Sequence, residues 1–337
     1  MTSCSRHVYG PVPSRRLGAS LGVDVVPMKA CTYDCIYCQL GPTRTLTTER
    51  EHFFTVEEIL DDVGRRLDLW PPPEVITVAG CGEPTLYAEL CELLARIKRL
   101  TQTPVALLTN GSLFYRSDVR RDAARADIVL PSLDAGDEAT FQAVNRPAPS
   151  LTLKQVVEGL AAFRREYTGE IWLEVMVLAG INDTLPRIGG IAHLARAIAP
   201  DRIQLNTPVR PTFDERAAPV SAARLHELRQ AFSPEAEVIA ERKERATSAS
   251  PPRDDETAEI LDLLQRRPCT AADVAEGLDL AHNAVLKTLT TLEHRGEVHR
   301  VLRRGRVFWH AIVEGTLEGT GDADRGEIVD GEEGGPG

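Results

Sequence analysis

Residues 31–38 read CTYDCIYC, three cysteines spaced C-x3-C-x2-C. Thiols this close together suggest metal binding or redox chemistry. A redox pair needs only two of them. A structural zinc site takes four ligands, and Cys4 or His52 could supply the fourth. A cubane 4Fe–4S cluster has four irons, so three thiolates leave one iron open to chelate a ligand, which a reaction at the cluster requires. The opening MTSCSRHVYG lacks the apolar stretch of a signal peptide. No apolar run approaches the roughly 18 residues of a membrane span. We therefore expect a cytoplasmic chain with no membrane association and reduced thiols. Its seven irregularly spaced cysteines then point to metal or catalysis rather than disulfides.

Other polar residues stand at the ends of apolar runs. GCGEPT, residues 80–85, follows one run directly, and Gly80 and Gly82 suit a close approach of backbone to a ligand. Further on come Thr109-Asn110-Gly111, Ser132 with Asp134, Glu174, and Gln204 with Asn206. Alternate strand positions share a face, so each of the last two pairs should point one way and line a polar cavity. Cys81 reads as a small buried filler. Arg15, Arg16, Arg146 and Arg210 lie by short loops. They could clamp an anionic substrate, or simply anchor the loops.

The elements that must position these residues are β-rich runs at 21–27, 74–80, 104–110, 127–134, 170–178 and 202–208. Between them lie helical patterns at 55–69, 86–99, 137–145, 152–167, 184–198 and 221–232. Thr55 to Glu58 and Thr152 to Gln155 read as capping boxes. The alternation implies a parallel sheet with right-handed crossovers. Six units suit an open (β/α)6 barrel, with a doubly wound sheet as the alternative. Residues 246–255, ATSASPPRDD, read as a linker after a core of 1–245. Residues 256–313 then run helix–helix–helix–hairpin, the order of a winged helix-turn-helix. The last stretch, 314–337, is Gly- and acid-rich and is expected to be disordered.

C-x3-C-x2-C with Tyr37 before the last cysteine resembles the signature of the radical S-adenosylmethionine (AdoMet) superfamily. YGPVPSRRLGASLGVDVVPMKACTYDCIYCQLG, residues 9–41, is similar to the opening of Fe–S oxidoreductases related to the tRNA wybutosine-synthesis enzymes. GCGEPTL, LLTNGSL, PSLDA and QLNTPVRP follow in the expected order, so the resemblance covers about residues 9–245. It implies a partial (β/α)6 barrel with Cys31, Cys35 and Cys38 on a 4Fe–4S cluster. The open iron would bind AdoMet, and an external one-electron donor would drive its cleavage to a 5′-deoxyadenosyl radical that abstracts hydrogen from substrate. The resemblance puts Tyr37 near the adenine and the Gly80-Cys81-Gly82-Glu83-Pro84 turn and Asn110 near AdoMet, with Glu83 accepting from its ammonium. Ser132 and Asp134 are the ribose candidates. Asn206, with backbone near Leu205, is the candidate beside the adenine. Cys81 departs from the Gly or Asn of relatives.

The net charge of −11 is uneven, with −7 in the tail from Glu314 and −4 in the rest. That is no basic nucleic-acid signature overall. Locally, residues 281–311 hold six basic and two acidic residues, which fits phosphate contact. The helix at 282–296 nevertheless offers little beyond Asn283 and Lys287 for reading bases. RNA and protein or peptide therefore stay open as partners of the winged helix. Three functions compete: a radical AdoMet enzyme on a tRNA nucleobase, one on a protein, peptide or small metabolite, and an Fe–S sensor that binds DNA. The wybutosine relatives hold a second cluster through further N-terminal cysteines, whereas only Cys4 precedes the motif here. The AdoMet-like motifs argue against a sensor, which does not need them.

Overall fold

The computed structural model describes residues 7–69, 72–239, 256–278, 280–303 and 305–312. The linker at 246–255, the acidic tail and Cys4 lie outside the described residues. Two strands, β1 (Val8–Ser14) and β2 (Gly18–Asp24), form an antiparallel hairpin. The cysteine segment then begins in β3 (Ala30–Cys31), which pairs in parallel with β4 (Thr45–Leu46). Alternation follows: α1 (Val56–Leu69), β5 (Val75–Ala79), α2 (Leu90–Leu100), β6 (Val105–Thr109), α3 (Ser117–Ala123) and β7 (Ile128–Pro131). Next come α4 (Glu138–Val144), α5 (Leu153–Glu166), β8 (Glu170–Met176), α6 (Leu185–Ile198), β9 (Arg202–Asn206), α7 (Ala222–Leu228) and β10 (Glu237–Val238).

The sheet order is β1-β2-β5-β6-β7-β8-β9-β10, parallel from β2 onward. A doubly wound sheet reverses its order at a switch point. This one never does, so the six main parallel strands β2 and β5–β9 wind in one direction. Two arginines show that the sheet also curls. From the β1–β2 turn, Arg16 reaches Glu174 on β8 at 2.6 Å and Arg15 reaches Asn206 on β9 at 2.9 Å. In a flat sheet β2 and β8 would stand about 19 Å apart, at about 4.8 Å per strand. Only an open barrel brings them within one side chain's reach.

Strand alternation sorts the two faces. Leu21, Val23, Ile76, Val78, Leu107, Leu173, Val175, Ile203 and Leu205 pack outward against the helices. Val75, Ala106, Leu130 and Trp172 form a separate apolar floor inside. Both capping boxes are present: Thr55 N donates to Glu58 and Glu58 N to Thr55, and Thr152 and Gln155 exchange the same bonds. β1, α3 and the two-residue strands β3, β4 and β10 were not among the sequence expectations. β1 carries Pro11 and Pro13, which a strand tolerates at a sheet edge, and its register shifts between Tyr9 and Val12. α3 has only seven residues, too few to show a helical period.

The C-terminal winged helix consists of α8 (Glu256–Arg266), α9 (Ala271–Leu278), α10 (His282–His294), β11 (Val298–Arg303) and β12 (Arg306–Ala311). Its core is built on Ile260, Leu263, Val274, Val285, Leu289 and Trp309, and β1 of the barrel joins it through Val12, with Tyr9 packed alongside. Arg266, at the end of α8, enters the barrel. Its Nε lies 2.5 Å from Asp24, it also pairs with Asp262, and its guanidinium covers the Tyr9 ring at 4.8 Å. Burial alone would lower the Arg266 pKa, but the two carboxylates more than offset it and hold the guanidinium charged. A second ion pair, Arg66 on α1 to Glu259 on α8 at 2.8 Å, lies beside it. No helix among the described residues is long and apolar enough to cross a membrane.

Two outcomes are expected. Arg266→Met leaves the Asp24 carboxylate buried and unpaired, which costs about 3–5 kcal/mol, so the melting temperature falls. The double variant Arg266→Met, Asp24→Asn should recover much of the loss; thermal unfolding of all three proteins checks this. His310 stacks on His299 across the β11–β12 hairpin. Burial, with help from His299, lowers the His310 pKa to about 4. The unfolded chain takes up the proton first, so this group's stabilisation is present above about pH 6.5 and is lost as pH falls toward 4. His310→Phe should reduce the acid sensitivity of unfolding between those values.

Candidate functional site

The cysteine loop lies beyond the C-terminal end of β2 and is clasped by the turn that follows β5. Lys29 N donates to Cys81 O at 2.6 Å, and Glu83 N donates to Ala30 O at 3.0 Å. Gly82 has no room for a side chain: a Cβ there would stand 1.9 Å from Ala30 O. Gly80 has φ +113°, and its Cβ would meet Asp24 Oδ1 at 1.6 Å. Both glycines thus answer close approaches within the chain, whereas the sequence suggested a ligand. The far side of the loop is held by α4, through Ile36 N to Val144 O and Asp34 N to Asn145 O. A turn closes it, with Cys38 N bonded to Cys35 O at 3.0 Å.

Each of the three thiols faces its own amine or amide donor. Lys29 Nζ lies 3.1 Å from Cys38 Sγ, Asn110 Nδ2 lies 3.7 Å from Cys31 Sγ, and Asn145 Nδ2 lies 3.6 Å from Cys35 Sγ. Such donors suit sulfurs that carry negative charge in a cluster. Burial, with the Glu83 carboxylate, pushes the Cys31 thiol up to about 12; burial and the neighbouring cysteines raise Cys35 too. A bound metal would reverse this by stabilising the thiolates. Among the described residues no three His, Cys, Asp or Glu converge as ligands of one ion. Thiolates that serve three different irons need not converge in that way. His52, the candidate fourth zinc ligand, pairs instead with Glu89 in an exposed contact. The donor set therefore fits an Fe–S cluster with one iron lacking a protein thiolate.

Glu83 is 2 % exposed. Its Oε1 accepts from Thr85 N at 3.1 Å, Thr85 Oγ1 at 2.6 Å and Thr109 Oγ1 at 2.5 Å, and its Oε2 accepts from Asn110 N at 2.7 Å. It thereby caps the 3-10 turn at Pro84–Leu86 and ties it to the end of β6. Burial raises its pKa, and these four bonds work against the shift. Only Oε2 keeps an acceptor position open. Asn110 is fixed on both sides, donating from Nδ2 to Thr32 Oγ1 at 2.7 Å. Arg50 braces the same turn from behind, bonded to Thr85 O and Tyr87 O and paired with Asp122 at 2.6 Å.

Asp134 is also buried and engaged. Oδ2 accepts from Tyr37 Oη at 2.6 Å and Asn145 Nδ2 at 2.8 Å, and Oδ1 accepts from Met176 N at 2.8 Å. Burial lifts its pKa to about 6 although all three bonds oppose this. In the structure Asp134 fixes the Tyr37 ring and the end of β8. Its neighbour Ser132 bridges to Glu174. Asn206 donates to Glu174 Oε1 at 2.7 Å and accepts from Arg15, so its amide lies within a polar group at the barrel wall. Leu205 points outward into the helix-facing core, and its carbonyl accepts from Ile239 N. Gln204 lies buried with its Oε1 unpartnered.

The four arginines separate. Arg16 pairs with Glu174, while Arg146, at φ 43°, pairs with Asp214 at 2.8 Å and lies 3.6 Å from Asp34. Arg146 is thus a loop anchor. Arg15 and Arg210 have no carboxylate partner among the described residues. The sequence reading missed Lys29, Asn145, Asp24 and Arg266. Lys29 sits two residues before Cys31, and that adjacency was the only signal. Cys81 is buried as expected, but it faces Asp24, donating to Oδ2 at 3.6 Å.

The radical SAM superfamily profile matches residues 25–187, and the DprA winged helix domain profile matches residues 244–301. A UPF0026 protein from Helicobacter pylori is 35 % identical over 291 residues, which is 86 % of this chain and 92 % of that protein. A GTPase Obg from Brachyspira hyodysenteriae is 36 % identical over 302 residues, 89 % of this chain. The chain spans only 44 % of that relative's length. Among solved structures, TYW1 with a lysine–pyruvate adduct bound superposes with a TM-score of 0.49 at 17 % identity, over 68 % of this chain and 76 % of that one. Replacing the buried Glu83 tests the site's framework. Glu83→Gln keeps one acceptor oxygen but sets an NH2 against Asn110 N, forfeiting a bond to a charged acceptor worth about 1.5–3 kcal/mol, so differential scanning calorimetry should show a fall in melting temperature.

Proposed function

The chain belongs to the UPF0026 family and carries a radical SAM domain, and we propose that it uses Cys31, Cys35 and Cys38 to hold a 4Fe–4S cluster for radical chemistry on a substrate in the barrel. A 4Fe–4S cluster and AdoMet are the cofactors of the radical SAM family. When bound, they supply reductive AdoMet cleavage and hydrogen abstraction, driven by an external one-electron donor. The observation that carries this reading is the loop itself: three thiols, each with its own N–H donor, at the mouth formed by the strand ends.

The chain's own groups have separate tasks. Lys29, Asn110 and Asn145 orient and stabilise the three thiolates. The open position on Glu83 Oε2 would accept from the AdoMet ammonium. The backbone at Gly80, Gly82 and Pro84 would border the same ligand. Tyr37, held by Asp134, would lie against the adenine, with Ser132 near the ribose and the β9 end at Leu205–Asn206 beside the base. Closure of the barrel by the winged helix would exclude water from the interior.

For the substrate, a tRNA nucleobase is the first candidate. The winged helix presents His282, Asn283 and Lys287 on the exposed face of α10 and Arg300, Arg303 and Arg306 on the hairpin, a surface suited to phosphates. One observation favours a protein or peptide instead: Leu302, 69 % exposed, pairs across the hairpin with the exposed Val307, and α10 also exposes Leu286. Neither reading assigns a resident auxiliary cluster.

Anaerobic reconstitution should load about four irons and four sulfides per chain, and addition of AdoMet and a low-potential reductant should yield 5′-deoxyadenosine. Replacing Cys31, Cys35 or Cys38 by Ala should abolish both. Stoichiometric zinc with no iron uptake would end the reading. Glu83→Gln at equal iron loading should weaken AdoMet binding about ten- to a hundred-fold. Nucleic acid copurified with the wild type would favour the RNA substrate over the protein one.

A further inference from the structure

We propose that Arg15, Arg210 and Arg267 form a site for a doubly charged oxyanion, a phosphate group on the substrate, and that the winged helix completes this site by supplying Arg267. The first observation is a set of orphaned donors. Nε of Arg210 and both Nε and Nη2 of Arg267 are sealed from solvent and meet no hydrogen-bond partner. Buried donors are rarely left so, and each calls for an acceptor. Among the described residues Arg15 is bonded only to neutral groups, Asn206 Oδ1 at 2.9 Å and Ile239 O at 3.5 Å.

The second observation is the surrounding charge. Glu174 is bound to Arg16, and Asp24 and Asp262 are bound to Arg266. Asp273, whose field reaches Arg210, accepts from Thr270 N at 3.0 Å. The Cys269 thiol is hydrogen-bonded to the Arg267 side chain; it is fully buried and burial raises its pKa, so it offers Arg267 a neutral partner and no counter-charge. Among the described residues none of these three guanidiniums forms an ion pair with a carboxylate, and Asp273 is a counter-charge whose field reaches Arg210. They feel one another: burial and then Arg210, with Arg16 and Arg267 adding, lower Arg15 to about 10, and burial followed by Arg267 lowers Arg210. Buried cations without a counter-ion are costly, and an anion removes that cost.

The chemistry selects the ligand. A guanidinium fork matches phosphate oxygens in a bidentate way, and three cations balance a dianion better than a monocarboxylate. The place is apt as well. Arg15 meets Asn206 at the C-terminal end of β9, and the cysteine loop occupies the same end of the barrel. Arg267 follows Arg266, which the Asp24 ion pair fixes at the barrel's open edge. Calling the ligand a substrate rests on the radical-enzyme reading; the anion site does not.

The test uses the full chain purified anaerobically and titrated with inorganic phosphate, with sodium chloride and sodium acetate at matched ionic strength as controls. Thermal unfolding should show a saturable rise with phosphate that neither control reproduces. Arg210→Gln and Arg267→Gln should each weaken that response about ten- to a hundred-fold. Without phosphate, both variants should melt no lower than the wild type, because each removes one of three mutually repelling charges. A wild type that responds to phosphate no more than to chloride would overturn the proposal. So would an acetate response as strong as that to phosphate, or variants that melt lower while keeping the full response. None of these readings needs AdoMet turnover, so failure here with normal 5′-deoxyadenosine formation leaves the radical reading intact. Failure of iron loading leaves the anion site intact.

Discussion

The clasp between the cysteine loop and the turn after β5 is the contact on which the rest depends. Two backbone bonds, Lys29 N to Cys81 O and Glu83 N to Ala30 O, hold an otherwise irregular segment against the end of a rigid strand. Backbone-to-backbone contact at that distance excludes any Cβ at position 82. Once the clasp is closed, Glu83 gathers donors from β6 and its own turn, and Asn110 follows with its amide toward Cys31. The sulfurs are thus positioned by main chain and by buried amides, and not by loop packing alone. Loops placed in this way on a strand scaffold keep a precise geometry while leaving their outer face free for a ligand.

The same turn links the site to the winged helix. Asp24 lies under Gly80, accepts from Cys81 and is neutralised by Arg266. A buried carboxylate must have such a partner, and the partner comes from 242 residues further along the chain. The two domains are consequently coupled at the level of charge, beyond the apolar contact of Val12 and Tyr9. Any loosening of the winged helix would expose or unpair Asp24 directly beneath the GCGEPT turn. This geometry gives the small domain a structural part in the barrel's integrity.

Inside the barrel, some polar groups are satisfied locally and others are not. Arg16, Glu174 and Asn206 form a closed set, and Tyr37 and Asn145 both donate to Asp134. Gln204 Oε1, Asn145 Oδ1, Asp24 Oδ1, Arg210 Nε and Arg267 Nε and Nη2 have no such completion. Closed sets make a rigid wall, and orphaned groups mark where that wall expects a ligand.

Much of this was legible in the sequence because it is local. The C-x3-C-x2-C spacing, the two capping boxes, the apolar runs of β5 to β9 and the helix–helix–helix–hairpin order are all set within a few residues, where side-chain periodicity reports directly on structure. The face of Gln204 and Asn206 also followed from strand alternation. Roles that depend on distant partners did not. Glu83 and Asp134 read as ligand contacts, yet their carboxylates hold the framework through donors 26 and 97 residues away in sequence. Arg15 and Arg16 looked alike, but the curl of the sheet delivers a carboxylate to one and only neutral groups to the other. β1 was hidden by its prolines, and nothing near Arg266 or Arg267 in the sequence announced a partner in the barrel. Sequence determined which elements form and which thiols lie together, since those follow from neighbours along the chain. Which charges are paired, and which are left to meet a ligand, was decided only when the barrel closed and brought residues from its two ends into contact.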